Sequence, residues 1–236
     1  MPVSRRSCHL LTTAAVLLAV SVATTAAGQS TLQEPPPLLD LRGQQPITGD
    51  AGAGQALSTA CAACHGADGL SVAPTFPDLA GQSATYLYVQ LKTFKEGQRQ
   101  DPVMSAMVSP LSDADMRNLA AWYASLPARP AGQPDATSRG AQLYLHGDPG
   151  RGIPPCQGCH GPTGSGPRVL ATDAPHPPWS TVPRLHGQPA MYVAKALHDF
   201  KSGARNGTSN ASIMHGVTQT LDDADIQALA TYIASQ

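Results

Sequence analysis

A five-residue motif occurs twice in this chain, and it limits the architecture more than any other stretch. The copies are Cys61-Ala62-Ala63-Cys64-His65 and Cys156-Gln157-Gly158-Cys159-His160. Two cysteines separated by two residues and followed by a histidine form the attachment signature of c-type haem. Both sulfurs can reach the vinyl groups of one porphyrin, and the histidine then lies beside the iron. The motifs therefore predict two covalently bound haem c groups, with the motif histidines as axial ligands of the haem iron.

Cysteine usage supports this interpretation. The chain has five cysteines, of which four lie in the two motifs. The fifth, Cys8, lies near the N-terminus, so no cysteine remains for a structural disulfide. Two C-x-x-C pairs could together hold one tetrahedral zinc ion, and this alternative stays open. The histidine after each pair and the long separation of the pairs favour haem.

Composition narrows the choice of partners. The formal net charge is −1, which gives no indication of nucleic-acid binding. Aromatic residues make up only 5% of the chain, and a small domain with few aromatics builds a thin core. A haem would supply the missing apolar bulk.

The N-terminal 27 residues have the pattern of a secretory signal peptide. Arg5 and Arg6 precede an apolar run at residues 10–23, and small residues at 25–27 offer a cleavage site. The run is short for a membrane span, although an uncleaved anchor stays an alternative. The signal peptide predicts a periplasmic protein. Residues 28–48 are rich in Pro, Gln and Gly, and we predict that they form a disordered tether.

The rest of the chain is an internal duplication with a period of about one hundred residues. Matching segments lie in the same order in both copies. They are Gly54-Gln55-Ala56-Leu57 with Gly140-Ala141-Gln142-Leu143, residues 76–82 with 182–188, Tyr86 with Tyr192, Phe94-Lys95 with Phe200-Lys201, and residues 111–115 with 221–225. We therefore predict two domains, at residues 49–127 and 136–236, joined by a linker at residues 128–135.

Each copy is predicted to be all-α, with three main helices. The first enters the haem motif, and the second covers about residues 83–96 in one copy and 189–201 in the other. The third begins at an N-cap, Ser112 or Asp222, with an acidic residue three positions later. Its apolar face has helical spacing in both copies. The face consists of Met116, Leu119 and Tyr123 in the first copy and of Ile226, Leu229 and Ile233 in the second.

A second protein ligand on each iron would leave electron transfer as the function. Met104 lies seven residues before Leu111, and Met214 lies seven residues before Leu221. Because both methionines occupy the same place in the repeat, we predict that they are the second axial ligands. Two alternatives remain: both could be ordinary core methionines, and His215 could compete with Met214. Met107 has no counterpart in the second copy.

With these residues in place, the chain resembles the dihaem cytochrome c4 family, which is built from two tandem class I cytochrome c domains. The resemblance covers about residues 49–236 and depends on the two C-x-x-C-H-G motifs, the Pro-x-Leu-x-Gly-Gln segments and the Met-bearing segments before the third helices. It implies that the carbonyl groups of Pro77 and Pro183 accept a hydrogen bond from the proximal histidines. It also implies close helix crossings, with Gly54 against Trp122 and Gly140 against Tyr232. The second copy departs from the pattern by extra residues at about 147–154 and an insertion at 161–182, which could cover a haem edge, form a partner site or be a tolerated surface loop.

We therefore expect an electron carrier rather than an enzyme. The expected donor is a membrane quinol-oxidising complex or a dehydrogenase, and the expected acceptor is a terminal oxidase or reductase. The tether leaves open an association with the membrane surface. Two other functions stay as alternatives. One is a dedicated cytochrome subunit of a membrane-associated dehydrogenase or oxidase, and the other is a dihaem peroxidase with one haem open to peroxide.

Overall fold

Helices account for the regular structure of this chain. The computed structural model describes residues 1–2, 36–167 and 178–236, and within them ten α-helices and no strand are formed. The helices are α1 (Ala51–Leu57), α2 (Ala62–His65), α3 (Ala84–Glu96), α4 (Pro102–Val108), α5 (Asp113–Ser125), α6 (Arg139–His146), α7 (Gln157–His160), α8 (Ala190–Ser202), α9 (Ser209–Thr218) and α10 (Asp223–Ser235). The signal peptide predicted at residues 1–27 lies almost entirely outside the described residues.

The two copies of the repeat have the same order of helices, with α1–α5 in the first and α6–α10 in the second. This confirms the prediction of an all-α fold with two tandem domains. The second predicted helix corresponds to α3 in the first copy and to α8 in the second. The third predicted helix corresponds to α5 and α10. Ser112 and Asp222 cap α5 and α10, and in each case the acidic residue three positions later completes a capping box. These boxes satisfy backbone N–H groups that the helix itself leaves unpaired.

Four helices were not predicted: α2 and α7 are separate from the first helices, which end before the haem motifs instead of entering them, and α4 and α9 carry Met104 and Met214. Helix α4 begins after Asp101, whose carboxylate accepts from the N–H groups of Val103 and Met104, and Thr208 caps α9. Both helices are too short to show a clear apolar period. The signal that could have found α4 is Asp101-Pro102, an N-cap followed by proline at the first helical position.

Glycines allow the first and last helices of each domain to cross closely. A Cβ atom on Gly54 would lie 2.0 Å from the carbonyl oxygen of Asn118 and 2.8 Å from the Cβ of Trp122. A Cβ atom on Gly140 would lie 2.2 Å from the carbonyl oxygen of Ala228 and 2.6 Å from the Cβ of Tyr232. No side chain fits at these distances, so both expected glycine–aromatic crossings are present.

Each domain has a core of its own. In the first, residues of α3 and α5 bury an apolar cluster that includes Met116, Leu119 and Tyr123. In the second, residues of α6, α8 and α10 bury a cluster that includes Ile226, Leu229 and Ile233. The predicted apolar faces of α5 and α10 are thus the core faces.

Residues 36–48, which we call the N-terminal strap, differ from the predicted disordered tether. The Leu39 N–H donates to the carbonyl oxygen of Gly207 at 3.0 Å, and the Ser209 N–H donates to the Leu39 carbonyl oxygen at 3.0 Å. Leu41 is only 2% exposed and packs in the core of the first domain. The prediction of disorder therefore fails for residues 36–48, because two leucines in a polar segment find apolar partners and backbone hydrogen bonds elsewhere in the fold. Residues 28–35 lie outside the described residues.

The segment at residues 128–135 is also held in place. Arg129 forms an ion pair with the buried carboxylate of Asp78, with a shortest N–O distance of 2.7 Å. The Gly132 N–H donates to the carbonyl oxygen of Gln236 at 2.7 Å. This connection is therefore bonded to both domains.

None of the described helices has the length and apolar character needed to cross a membrane.

Candidate haem sites

The motif histidines have equivalent surroundings. His65 is 6% exposed and His160 is 7% exposed. His65 Nδ1 lies 2.9 Å from the carbonyl oxygen of Pro77, and His160 Nδ1 lies 3.0 Å from that of Pro183. Since a carbonyl oxygen only accepts, Nδ1 carries the proton in both rings and the Nε2 lone pair is free to bind a metal.

Burial keeps both imidazoles neutral. It lowers the pKa of His65 and of His160 below the usual value, and the hydrogen bonds to the proline carbonyl groups only partly oppose this effect. A neutral imidazole with one protonated nitrogen is the form in which histidine binds metals. The two hydrogen bonds expected from the resemblance are present, and they fix each ring in one tautomer and one orientation.

A cavity of about 290 Å³ lies beside the second motif. Its walls include Cys159, His160, Pro183 and Met214. The walls also include residues of the first domain, among them Tyr86, Gln90 and Arg99, and the remaining lining is mainly apolar. A concave, mostly apolar site with a few polar groups is typical of a cofactor pocket.

Two arginines in this cavity test whether a haem fits. Arg205 is 8% exposed, and its guanidinium donates to the Tyr86 hydroxyl at 2.9 Å and to Gln90 Oε1 at 2.8 Å. Arg99, at the matching place in the first domain, donates to the same Gln90 oxygen at 2.6 Å. Within the described residues neither arginine forms an ion pair with a carboxylate. Because buried cations need a nearby anion, the site fits a ligand that brings negative charge, as the two propionates of a haem do.

The pKa of Tyr192 indicates the same excess of positive charge. Burial by itself raises the pKa of this phenol, but the charges of Arg99 and Arg205 outweigh burial and the pKa is lowered. The arginines also stack on aromatic rings in matching fashion, with Arg99 4.4 Å from the centre of the Phe94 ring and Arg205 4.4 Å from that of Phe200. Each guanidinium is thus held in a fixed place.

Met104 and Met214 are both half-buried on their short helices, α4 and α9. Met214 lines the cavity together with His160, so the predicted ligand pair of the second domain borders one space. Met107, one turn after Met104, is 41% exposed. His215, the competitor considered for Met214, has its Nδ1 2.7 Å from the carbonyl oxygen of Phe200 and is absent from the cavity wall.

The alternative of a shared zinc site gains no support. Within the described residues no group of three or more His, Cys, Asp or Glu side chains is placed to hold a metal ion. The four motif cysteines are unpaired, as thioether attachment of two porphyrins requires.

Sequence reasoning gave no function to Arg99 and Arg205. It also missed Gln82 and Gln188, although both belong to the repeated segments at residues 76–82 and 182–188. Their repetition in both copies was the available signal.

Of the insertion at 161–182, residues 168–177 lie outside the described residues. At its end Ser180 accepts a hydrogen bond from Ser83 of the first domain, with an O–O distance of 2.7 Å.

Comparison with known proteins also indicates that both domains are cytochrome c domains. The Cytochrome c family model matches residues 51–127 and 138–236. The chain is 40% identical over 196 residues to cytochrome c4 of Pseudomonas aeruginosa, covering 83% of this chain and 92% of that protein. It is 37% identical over 186 residues to the thiosulfate dehydrogenase electron acceptor of Thiomonas intermedia, covering 76% of this chain and 79% of that protein. The structure is similar to crystalline reduced cytochrome c4 from Pseudomonas stutzeri, with a TM-score of 0.71 and 39% identity over 80% of this chain and 99% of that chain.

Proposed function

Because this chain belongs to the cytochrome c4 family and carries two covalently bound haem c groups, we propose that it is a periplasmic electron carrier. It takes single electrons from a membrane quinol-oxidising complex or a dehydrogenase and delivers them to a terminal oxidase or reductase. The observation that carries this proposal is the symmetric pair of sites, each with a buried neutral histidine on the motif and a methionine at the same place in the repeat.

Each group of residues has a stated part in this function. Cys61, Cys64, Cys156 and Cys159 would hold the porphyrins, and His65 with Met104 and His160 with Met214 would bind the two irons. Pro77 and Pro183 orient the imidazoles through their carbonyl oxygens. Arg99 and Arg205, which line the cavity, would neutralise haem propionates. When bound, each haem supplies a one-electron couple, and histidine–methionine ligation raises its reduction potential.

The ligand assignment is tested by a redox titration, followed by absorption, of the wild type and of Met104→Ala and Met214→Ala. Each substitution removes the soft sulfur donor from one site only. We expect each variant to lose about half of the methionine–iron absorption and to show one lowered potential, with the other haem nearly unchanged.

Exposed methionines of the same two domains provide matched controls. Met107→Ala, on the same helix as Met104, and Met191→Ala, in the second domain, should leave both potentials and the spectrum unchanged, because these side chains are 41% and 56% exposed. Retention of two complete methionine–iron signatures in Met104→Ala or Met214→Ala would contradict the assignment.

Export is part of the proposal, since haem attachment by thioether bonds belongs to proteins translocated before folding. We propose that the signal peptide at residues 1–27 directs the chain to the periplasm. The mass of the chain purified from cells measures this: loss of these residues together with the gain of two porphyrins is the expected result. A chain that keeps residues 1–27 would favour the anchored alternative.

A second candidate is a dedicated partner of one dehydrogenase. The similarity to a thiosulfate dehydrogenase electron acceptor favours it. In this case the protein would co-purify with its dehydrogenase and be reduced by that enzyme and thiosulfate much faster than by a quinol-oxidising complex. The third candidate, a dihaem peroxidase, requires peroxide turnover and a haem without a methionine ligand, and an assay with hydrogen peroxide tests it directly.

A further inference from the structure

The proline carbonyl that holds His65 belongs to a peptide group with a second partner. That peptide joins Pro77 to Asp78. Its carbonyl oxygen accepts from His65 Nδ1 at 2.9 Å, while its N–H donates to Oε1 of Gln188 at 3.1 Å. Gln188 also donates from Nε2 to the Asp78 carbonyl oxygen at 2.8 Å. Gln188 lies in the second domain, so the hydrogen-bond chain from His65 ends on the opposite half of the molecule.

The second domain has the same arrangement in reverse. The peptide between Pro183 and Arg184 accepts from His160 Nδ1 at 3.0 Å and donates its N–H to Oε1 of Gln82 at 2.8 Å. Gln82 Nε2 in turn donates to the Arg184 carbonyl oxygen at 2.8 Å. Gln82 belongs to the first domain. The orientation of both glutamine amides is unambiguous, because a backbone N–H only donates and a carbonyl oxygen only accepts.

Both glutamines and both histidines of these chains are buried, whereas Arg184 of the second chain is exposed. Gln82 is 5% exposed, Gln188 is 7% exposed and Asp78 is 5% exposed. Hydrogen bonds in series polarise one another, and the effect is stronger where the local dielectric constant is low. A peptide that donates its N–H to a glutamine oxygen therefore has a more negative carbonyl oxygen, which draws the imidazole proton more strongly and makes that ring a more electron-rich ligand.

We propose that each glutamine is a positioning residue for the haem of the other domain: Gln188 acts through the Pro77–Asp78 peptide on His65, and Gln82 acts through the Pro183–Arg184 peptide on His160. This rests on the proposed function, in which His65 and His160 are the proximal iron ligands. Domain packing thereby helps to set both reduction potentials, since a more electron-rich imidazole stabilises the oxidised iron. Separation of the domains removes both contributions together.

The experiment compares Gln82→Met and Gln188→Met in the full-length dihaem protein. Methionine keeps approximately the volume of glutamine but has no amide to exchange with the peptide. Redox titrations are followed by NMR, with the Nδ1–H resonances of His65 and His160 in the reduced protein reporting on the two sites separately. In Gln188→Met we expect the reduction potential at the His65 site to rise by about 30 mV. For a one-electron couple this is about a threefold increase in the equilibrium constant for reduction.

The effect is expected to be crossed. Gln188→Met shifts the His65 Nδ1–H resonance and its haem potential more than those of His160, and Gln82→Met shifts those of His160 more than those of His65. Gln188→Glu keeps an oxygen that can accept from the Asp78 N–H, so the His65 Nδ1–H resonance should stay closer to the wild type than in Gln188→Met. This variant keeps the test valid if the methionine variant folds poorly.

Ser83→Gly is the matched control for loosening of the interface. It removes the bond from the Ser83 hydroxyl to the Ser180 carbonyl oxygen across the two domains, and glycine is tolerated at an N-cap. The Ser83 side chain contacts neither histidine-holding peptide, and the backbone N–H of residue 83, which donates to Gln82 Oε1 at 2.9 Å, remains in the variant, so neither histidine resonance should move. Equal shifts at both sites, larger shifts in the glutamine's own domain, or shifts in Ser83→Gly as large as in the glutamine variants would overturn the proposal. Failure of the methionine-ligand test leaves this crossed pattern measurable, because that test concerns Met104 and Met214 and this one concerns His65 and His160.

Discussion

At the scale of single residues, the spacing of the crossing helices depends on two glycines, which have no side chain. Gly54 and Gly140 lie where two helix backbones approach so closely that any Cβ atom would overlap a carbonyl oxygen. The matched aromatic residues, Trp122 and Tyr232, then cover the crossing from one side. One hydrogen atom in place of a methyl group thus fixes how the first and last helices of each domain meet.

Gly140→Ala should destabilise the protein by about 1–3 kcal/mol, the usual result of overpacking a tight contact. The added Cβ atom would lie 2.2 Å from the Ala228 carbonyl oxygen, which belongs to helix backbone and cannot turn away. Urea unfolding followed by far-UV circular dichroism measures the change.

Gly216→Ala is the control for this substitution. Gly216 is also in a helix, but a Cβ atom there meets no atom within 4 Å. Alanine should therefore stabilise the protein by roughly 0.5–1 kcal/mol, because glycine loses more conformational freedom on folding. Equal effects of the two substitutions would show that helix propensity, not the crossing, decides the outcome at Gly140.

At the scale of structural elements, the N-terminal strap links parts of the fold that are far apart in sequence. Its Leu39 pairs with the backbone at the start of α9, and the Leu41 N–H donates to the Ser209 hydroxyl at 3.0 Å. The Leu41 side chain meanwhile packs in the first domain. Since α9 carries Met214, the strap holds the methionine-bearing helix of one domain to the core of the other.

Leu41→Ala should reduce the free energy of unfolding by about 2–4 kcal/mol, because Leu41 is nearly fully buried and its removal leaves a cavity. Leu38→Ala, three residues earlier at a site that is 55% exposed, should change it by less than about 0.5 kcal/mol. Thermal or urea unfolding of both variants gives the comparison. A small effect at Leu41 would mean that the strap contributes little to stability.

At the scale of the whole molecule, the two domains are joined by many separate contacts. These contacts are the exchange of glutamine side chains, the Arg184 guanidinium donating to the Gly81 carbonyl oxygen at 2.6 Å, the Tyr192 N–H donating to the Pro74 carbonyl oxygen at 3.0 Å, and the strap. Several of these groups are buried, so opening the interface would leave unpaired polar atoms and unpaired charge. The domains should therefore lose their structure together.

We expect a single unfolding transition, with coincident urea midpoints by circular dichroism and by haem absorption. A chain that begins at residue 36 should behave in the same way. A chain that begins at residue 44 lacks Leu39 and Leu41 and should unfold in one transition at a lower urea concentration, because the strap no longer holds α9 while the other contacts between the domains remain. Two transitions in the chain that begins at residue 36 would mean that the interface does not couple the domains.

Short stretches of sequence determine much of this protein's structure, because covalent chemistry and local hydrogen bonds act within them. The motif at residues 61–65 predicts a haem from five adjacent residues, and Ser112 with Asp115 starts a helix through contacts within one turn. Comparison of one copy of the repeat with the other then predicts Met104 and Met214 as the second ligands. Long-range contacts leave no such local trace. Whether Leu41 is buried, whether Arg99 and Arg205 meet at Gln90, and whether Gln188 bonds to the peptide beside His65 all depend on residues brought together from distant parts of the chain. Their free energy comes from burial and polar pairing at a shared interface, which exists only after both domains have folded against each other.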